Sequence, residues 1–232
     1  MKNLLFIFLL LSYSVSLQAQ NVQCYVLTKQ GANVQYSYTY GNKLMGYLVL
    51  SVQENGIENE KTNVKTLWTF LNKKGKPSKS ASFAGYGEGM LSVNTIENGA
   101  YYMTQDLGLA AGGEDRHGYI LKMPASLKVG DSIEGGKLVF ENRFMGMTFK
   151  NELVYSDFKV VDEVDINTPA GNFHCLKVTG NVKGQYNRMD IDDEQTWYIA
   201  PGIGIVREEI HYLGVKKPVI LEAYKVSGLE LY

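Results

Sequence analysis

The side chains best suited to chemistry in this chain of 232 residues are few, and their spacing decides what they can do. His174 and Cys175 set an imidazole beside a thiol, the pair used in nucleophilic catalysis. Neighbours in a strand project to opposite faces, so these two cannot serve each other. A partnership of Cys175 with His117 or His211 would need a tertiary contact that the sequence does not reveal. The plainer expectations are an inward-packed Cys175, or a disulfide to Cys24, the other cysteine, in an oxidising compartment. Both stay open. No G-x-S-x-G elbow, no H-E-x-x-H and no C-x-x-C occurs, so no catalytic residue, metal ligand or cofactor is assigned.

Weaker constellations remain. Gly113 to Gly118 carries Glu114, Asp115 and His117 on what reads as a Gly-rich loop, a group that could act as acid and base on an envelope polymer or ligate a metal. A solvated polar turn is the more ordinary outcome. Asp190, Asp192, Asp193 and Glu194 cluster carboxylates but lack the spacing of a calcium loop. They read as a charged hairpin tip between Tyr186 and Trp197. Gly85 to Gly89 lacks the G-K-[ST] ending of a phosphate loop, and Glu88 would repel phosphate. Lys73, Lys74, Lys76 and Lys79 form a small basic loop that blunts a strand end.

The broadest signal is aromatic. Tyr36, Tyr38 and Tyr40 fall on one face of a strand, and Trp68 and Phe70 on one face of another. In a curved sheet these rings would line a cavity for an apolar ligand, or stack on sugar. They are the ligand-binding candidates, weighed against an ordinary core.

Strands must position these residues. Alternation broken by turn residues recurs along the chain. It predicts strands near Val34–Tyr40, Lys43–Gln53, Val64–Phe70, Met90–Ile96, Ala100–Gln105 and Tyr119–Met123. Glu54-Asn55-Gly56 is expected to end the second. Leu107 to Gly118 reads as irregular, and Pro124 to Asp131 as a loop. Further strands are expected over Lys137–Thr148, Phe158–Ile166, Asn172–Val182, Gln195–Ile199, Ile203–Leu213 and Pro218–Val226. Thr168-Pro169-Ala170-Gly171 and Pro201-Gly202 suit tight turns. The fold class is all-β: a curved antiparallel sheet forming a half-barrel, barrel or sandwich.

Residues 1–19 read as a signal peptide, with Lys2 before the apolar run Leu4 to Leu11 and the small Ala19 at the cut. The apolar run is shorter than the ~20 residues that span a bilayer. No later stretch is long and apolar enough either. Residues 20–232 are expected to form a single β-rich exported domain. Removing the leader takes away only Lys2, leaving 22 basic against 24 acidic residues and a net charge of −2. That balance gives no general attraction to nucleic acid.

Several segments resemble one family. Val164 to Val178, with Thr168-Pro169-Ala170-Gly171 and Cys175 inside it, looks like its V-x-TPAG-x-F-x-C-x-K-V segment. Trp197 to Arg207 looks like its W-Y-x-A-P-G-x-G-x-V-R segment, and Pro124 to Asp131 is similar to its P-x-x-L-K-V-G-D loop. Tyr36 to Gly46 resembles its Y-x-Y-x-x-G-K-x-x-G opening. The chain thereby resembles the TapB-like exported proteins of Gram-negative bacteria, built on a domain of unknown function. The resemblance implies a β domain in the periplasm or at the cell surface and carries no catalytic residues. A looser likeness to periplasmic lipoprotein carriers rests on architecture alone. The leading expectation is a non-enzymatic domain binding an apolar ligand or an envelope partner, the component being a lipid or another part of the envelope. A hydrolase acting on envelope polymer and a structural accessory of the envelope are the alternatives.

Overall fold

A computed structural model describes residues 25–77, 90–104, 114–144, 147–186, 188–212 and 214–229. The expected all-β architecture is present. Fourteen strands lie among the described residues, and every ladder between them is antiparallel. They are β1 (Asn33–Tyr40), β2 (Lys43–Glu58), β3 (Lys61–Leu71), β4 (Met90–Glu97), β5 (Ala100–Met103), β6 (Glu114–Gly118) and β7 (Leu121–Pro124). β8 (Glu134–Gly135), β9 (Lys137–Phe144), β10 (Met147–Thr168), β11 (Gly171–Tyr186), β12 (Met189–Ala200), β13 (Gly204–Tyr212) and β14 (Val219–Ser227) follow.

The order across the sheet is β6-β9-β10-β11-β12-β13-β14-β1-β2-β3-β4-β5-β7-β8. β1 sits between β14 and β2, so the first and last strands meet in the middle of the sheet. The ladder is not closed: β6 and β8 are its ends. Four backbone bonds nonetheless join residues 130–136, around β8, to β10. Gly130 N donates to Val160 O, Ile133 N to Phe158 O, Tyr155 N to Gly136 O and Val160 N to Asp131 O, at 2.8 to 2.9 Å. β10 thus carries β9 along Met147–Val154 and this segment further on, which covers backbone groups that would otherwise form an exposed edge.

Period-two burial builds the interior. In β12, Asp193, Gln195, Trp197 and Ile199 turn inward, and between them Glu194 is exposed and Thr196 and Tyr198 are half-buried. Phe158, Trp197, Tyr36, Tyr155 and Leu48 are among the largest side chains fully enclosed. The Phe158 and Trp197 rings lie 5.0 Å apart, close enough for a tilted aromatic contact. Gly180 on β11 makes room for that stack, because a Cβ there would overlap the Phe158 ring.

Four expectations change. β2 runs through Glu54-Asn55-Gly56, which pair with Lys65, Val64 and Asn63; the turn falls at Asn59 and Glu60, both at positive φ. Part of the supposedly irregular 107–118 stretch is β6, paired with β9. Lys137 to Thr148 is two elements, β9 and the start of β10, and not one strand. The acidic residues after Tyr186 form no hairpin tip, because they lie inside β12 and pair with β11. The two Pro turns are where expected: residues 169–170 join β10 to β11, and Gly202 takes a φ of 72° after Pro201.

Candidate functional site

The aromatic faces lead inside the sheet. β1 alternates so that Val34 and Tyr36 are buried, Tyr38 is half-buried and Tyr40 is 41% exposed. Burial fades toward the far end of the strand. β3 buries Val64, Thr66, Trp68 and Phe70 on one face. Tyr36 and Trp68 line a cavity of about 40 Å³, and Phe70, Tyr38 and Tyr40 are not part of its wall. The wall also includes Leu50 of β2, Tyr101 and Met103 of β5, Met123 of β7, Ile203, Ile205 of β13 and the segment Tyr25 to Leu27, with Thr66 and Asn94 among its polar members.

Its polar members are few. Tyr36 donates its phenol to the Ile205 carbonyl at 2.8 Å, bridging the interior between strands that are not neighbours. Burial, reinforced by Glu208, holds that phenol well above its ordinary pKa, so it stays protonated. The Thr66 hydroxyl shares a hydrogen bond with Ser92 at 2.8 Å. Asn94 Oδ1 accepts from Thr104 N and Thr104 Oγ1 at 2.9 and 3.0 Å. Trp68 differs: it is buried, and its Nε1 has no partner among the described residues. An indole N–H left so costs about 1–3 kcal/mol relative to a satisfied one. Trp197, the other tryptophan, donates its Nε1 to Glu208 Oε1 at 2.9 Å.

The remaining candidates are dispersed. Cys175 is buried while His174 is exposed, as alternation requires. Cys175 is a free thiol, and burial, with Asp165 adding, pushes its pKa up to about 12. Such a thiol is neither nucleophile nor ligand at neutral pH. Its pairing with Cys24 falls on a residue outside those described. His174 is bridged on the outer face, Nδ1 to Asp165 Oδ1 and Nε2 to Glu163 Oε1, each at 2.8 Å. Those carboxylates, Asp165 first, raise its pKa above the ordinary value.

His117 is exposed on β6, a strand rather than the expected loop, and the side chains of Glu114 and Asp115 lie outside those described. The acidic cluster is divided by its strand. Asp193 turns inward, while Asp190 and Asp192 point out to meet Gln185 at 3.1 Å and Lys183 at 3.3 Å. Gly85 to Gly89 and Lys79 lie outside the described residues; Lys73, Lys74 and Lys76 are exposed on the turn after β3. Among the described residues no group of three metal-ligating side chains converges.

Half of the cavity wall escapes the sequence. Met103 and Met123 alternate correctly within their strands, but β5 pairs with β7 by passing over β6, which pairs elsewhere. No local pattern encodes that skip. Tyr25 to Leu27 belong to no strand and carry no periodic signal.

The DUF3108-like family profile matches residues 29–213. No curated protein matches the chain. Among solved structures, an inferred exported protein with a YmcC-like fold from Bacteroides fragilis NCTC 9343 is 19% identical, with a TM-score of 0.67 over 87% of this chain and 98% of its own. An inferred lipoprotein from Parabacteroides distasonis ATCC 8503 is 13% identical, with a TM-score of 0.65 over 88% of this chain and 99% of its own. At these identities the likeness is one of fold.

Proposed function

The chain belongs to the DUF3108-like family, and from that membership we propose an exported, non-catalytic binding domain whose interior cavity receives an apolar group of an envelope ligand. The observation that carries the reading is the cavity wall. Tyr36 and Trp68 share it with Leu50, Met103, Met123, Ile203 and Ile205, and no lysine, arginine or carboxylate lines it. Apolar walls with a few polar points are what small-molecule sites are built from.

Size limits what enters. About 40 Å³ holds roughly three or four water-sized groups, at about 10–15 Å³ for each. The cavity suits one end of a ligand rather than a whole acyl chain. Met103 and Met123 are the wall residues best able to yield, since an unbranched thioether side chain changes rotamer easily. The export reading draws support from the leader-like residues 1–19 and from the exported and lipoprotein assignments of the two fold neighbours. The finer TapB-like resemblance rests on the segments around Pro169 and Pro201 and favours the same envelope setting.

Native mass spectrometry of protein extracted gently from the envelope tests this. A bound lipid-like mass is expected, and it should be lost when the cavity is filled by Leu50→Trp. Wild-type protein that carries no such mass, and whose melting temperature no apolar compound raises, would sink the reading.

A further inference from the structure

We infer that the cavity selects a neutral carbonyl-bearing ligand, an ester or amide of a fatty chain, by accepting its carbonyl oxygen on Trp68 Nε1. This rests on the cavity being a binding site and adds the chemistry of what it binds. Trp68 Nε1 is the one buried side-chain nitrogen or oxygen on the wall that finds no partner among the described residues. An indole nitrogen can only donate. The ligand must therefore bring an acceptor.

The surroundings narrow the acceptor further. The Thr66 hydroxyl is engaged with Ser92, the Asn94 oxygen with Thr104, and the Tyr36 hydrogen with the Ile205 carbonyl. The Tyr36 hydrogen is thus committed to Ile205, and Trp68 Nε1 is the buried wall donor that has no partner among the described residues. No cation lines the wall, so a carboxylate or phosphate would be buried without its counter-charge. A hydrocarbon would fit the apolar side chains and leave the indole N–H unsatisfied. A neutral carbonyl next to an alkyl chain satisfies the indole N–H, lies against the apolar side chains and buries no charge.

The probes are methyl octanoate, n-undecane and octanoate, the first two matched in heavy-atom count. Calorimetry measures their affinities for wild-type protein and for Trp68→Phe. The indole N–H resonances of Trp68 and Trp197 are followed by NMR in wild type. The expected result is a preference of wild type for the ester over the alkane of about tenfold, the worth of one buried neutral hydrogen bond. Octanoate should bind more weakly than the ester. The ester should move the Trp68 indole proton downfield and leave that of Trp197 in place. Trp68→Phe should bind the alkane as wild type does and lose the preference.

Equal wild-type affinities for ester and alkane, or a Trp68 indole proton that the ester does not move, overturn the inference and leave apolar binding standing. Preference retained in Trp68→Phe overturns it too. Binding of none of the probes removes the cavity reading and this inference together. If Trp68→Phe does not fold, the wild-type resonance and affinities decide alone.

Discussion

At the scale of single residues, two environments make opposite demands on neighbours in sequence. Cys175 faces the core, where burial raises its thiol to a pKa of about 12. Native protein should leave Cys175 unlabelled by iodoacetamide at about pH 8 and label it after guanidinium unfolding, since only the thiolate reacts. Stoichiometric labelling of Cys175 in the native state, read by peptide mass spectrometry, would refute this burial. His174 faces solvent between Asp165 and Glu163, and both carboxylates favour its protonated form. A folded-state pKa raised above the unfolded value of about 6.5 stabilises the fold fully below that pH. The contribution is lost as pH rises through the folded value. Wild-type melting temperature should therefore fall relative to His174→Gln between about pH 5.5 and pH 8. Parallel curves for the two proteins would show that the exposed bridge contributes nothing, as many surface pairs do.

At the scale of elements, the packing of one strand depends on what the next one omits. Gly180 lacks a side chain where the Phe158 ring lies against β11, and that ring in turn meets Trp197. Gly180→Ala should displace the ring and cost about 1–3 kcal/mol, as overfilling a packed core does. Urea titration should show a lower midpoint at an unchanged slope; an unchanged midpoint would mean the ring moves freely. The same dependence on neighbours explains what could be read in the sequence. Strands with clean alternation, such as Val34 to Tyr40 and Val64 to Phe70, were legible because each residue's face follows from its own position. The end of β2 was not. Glu54, Asn55 and Gly56 favour a turn locally, yet the opposing arm supplies Lys65, whose Nζ meets Glu54 Oε2 at 2.6 Å, and the ladder continues. Tyr36 and Trp68 could be found as cavity residues by alternation. Their partners Met103 and Met123 could not, because strand order is a property of the whole sheet.

At the scale of the molecule, the sheet has one weak line and one strong dependence. The weak line is the seam between residues 130–136 and β10, held by four backbone bonds, where β10 and β11 share a ladder along most of their length. Hydrogen exchange should find the amides of Gly130, Ile133, Tyr155 and Val160 less protected than those inside the β11–β12 ladder, because local opening begins where pairing is shortest. Equal protection would mean that the seam opens only with the whole fold. The strong dependence is that of β1 on β14. Thr39 and Tyr40 pair with Ile220 and Val219 about 180 residues away, and the Tyr36 hydroxyl reaches Ile205 at a separation of 169. Contacts so distant in sequence must close a long loop before they stabilise anything, which slows folding. They also mean that the early strands cannot complete their ladder until the last is made. Deleting residues 219–232 strips β1 of one partner and removes Val219, Leu221 and Ala223 from the core. The truncated chain should therefore lose its cooperative thermal transition, measured by circular dichroism. A sharp transition retained without β14 would show that the remaining strands close on themselves, and that the meeting of the first and last strands is not what holds the sheet.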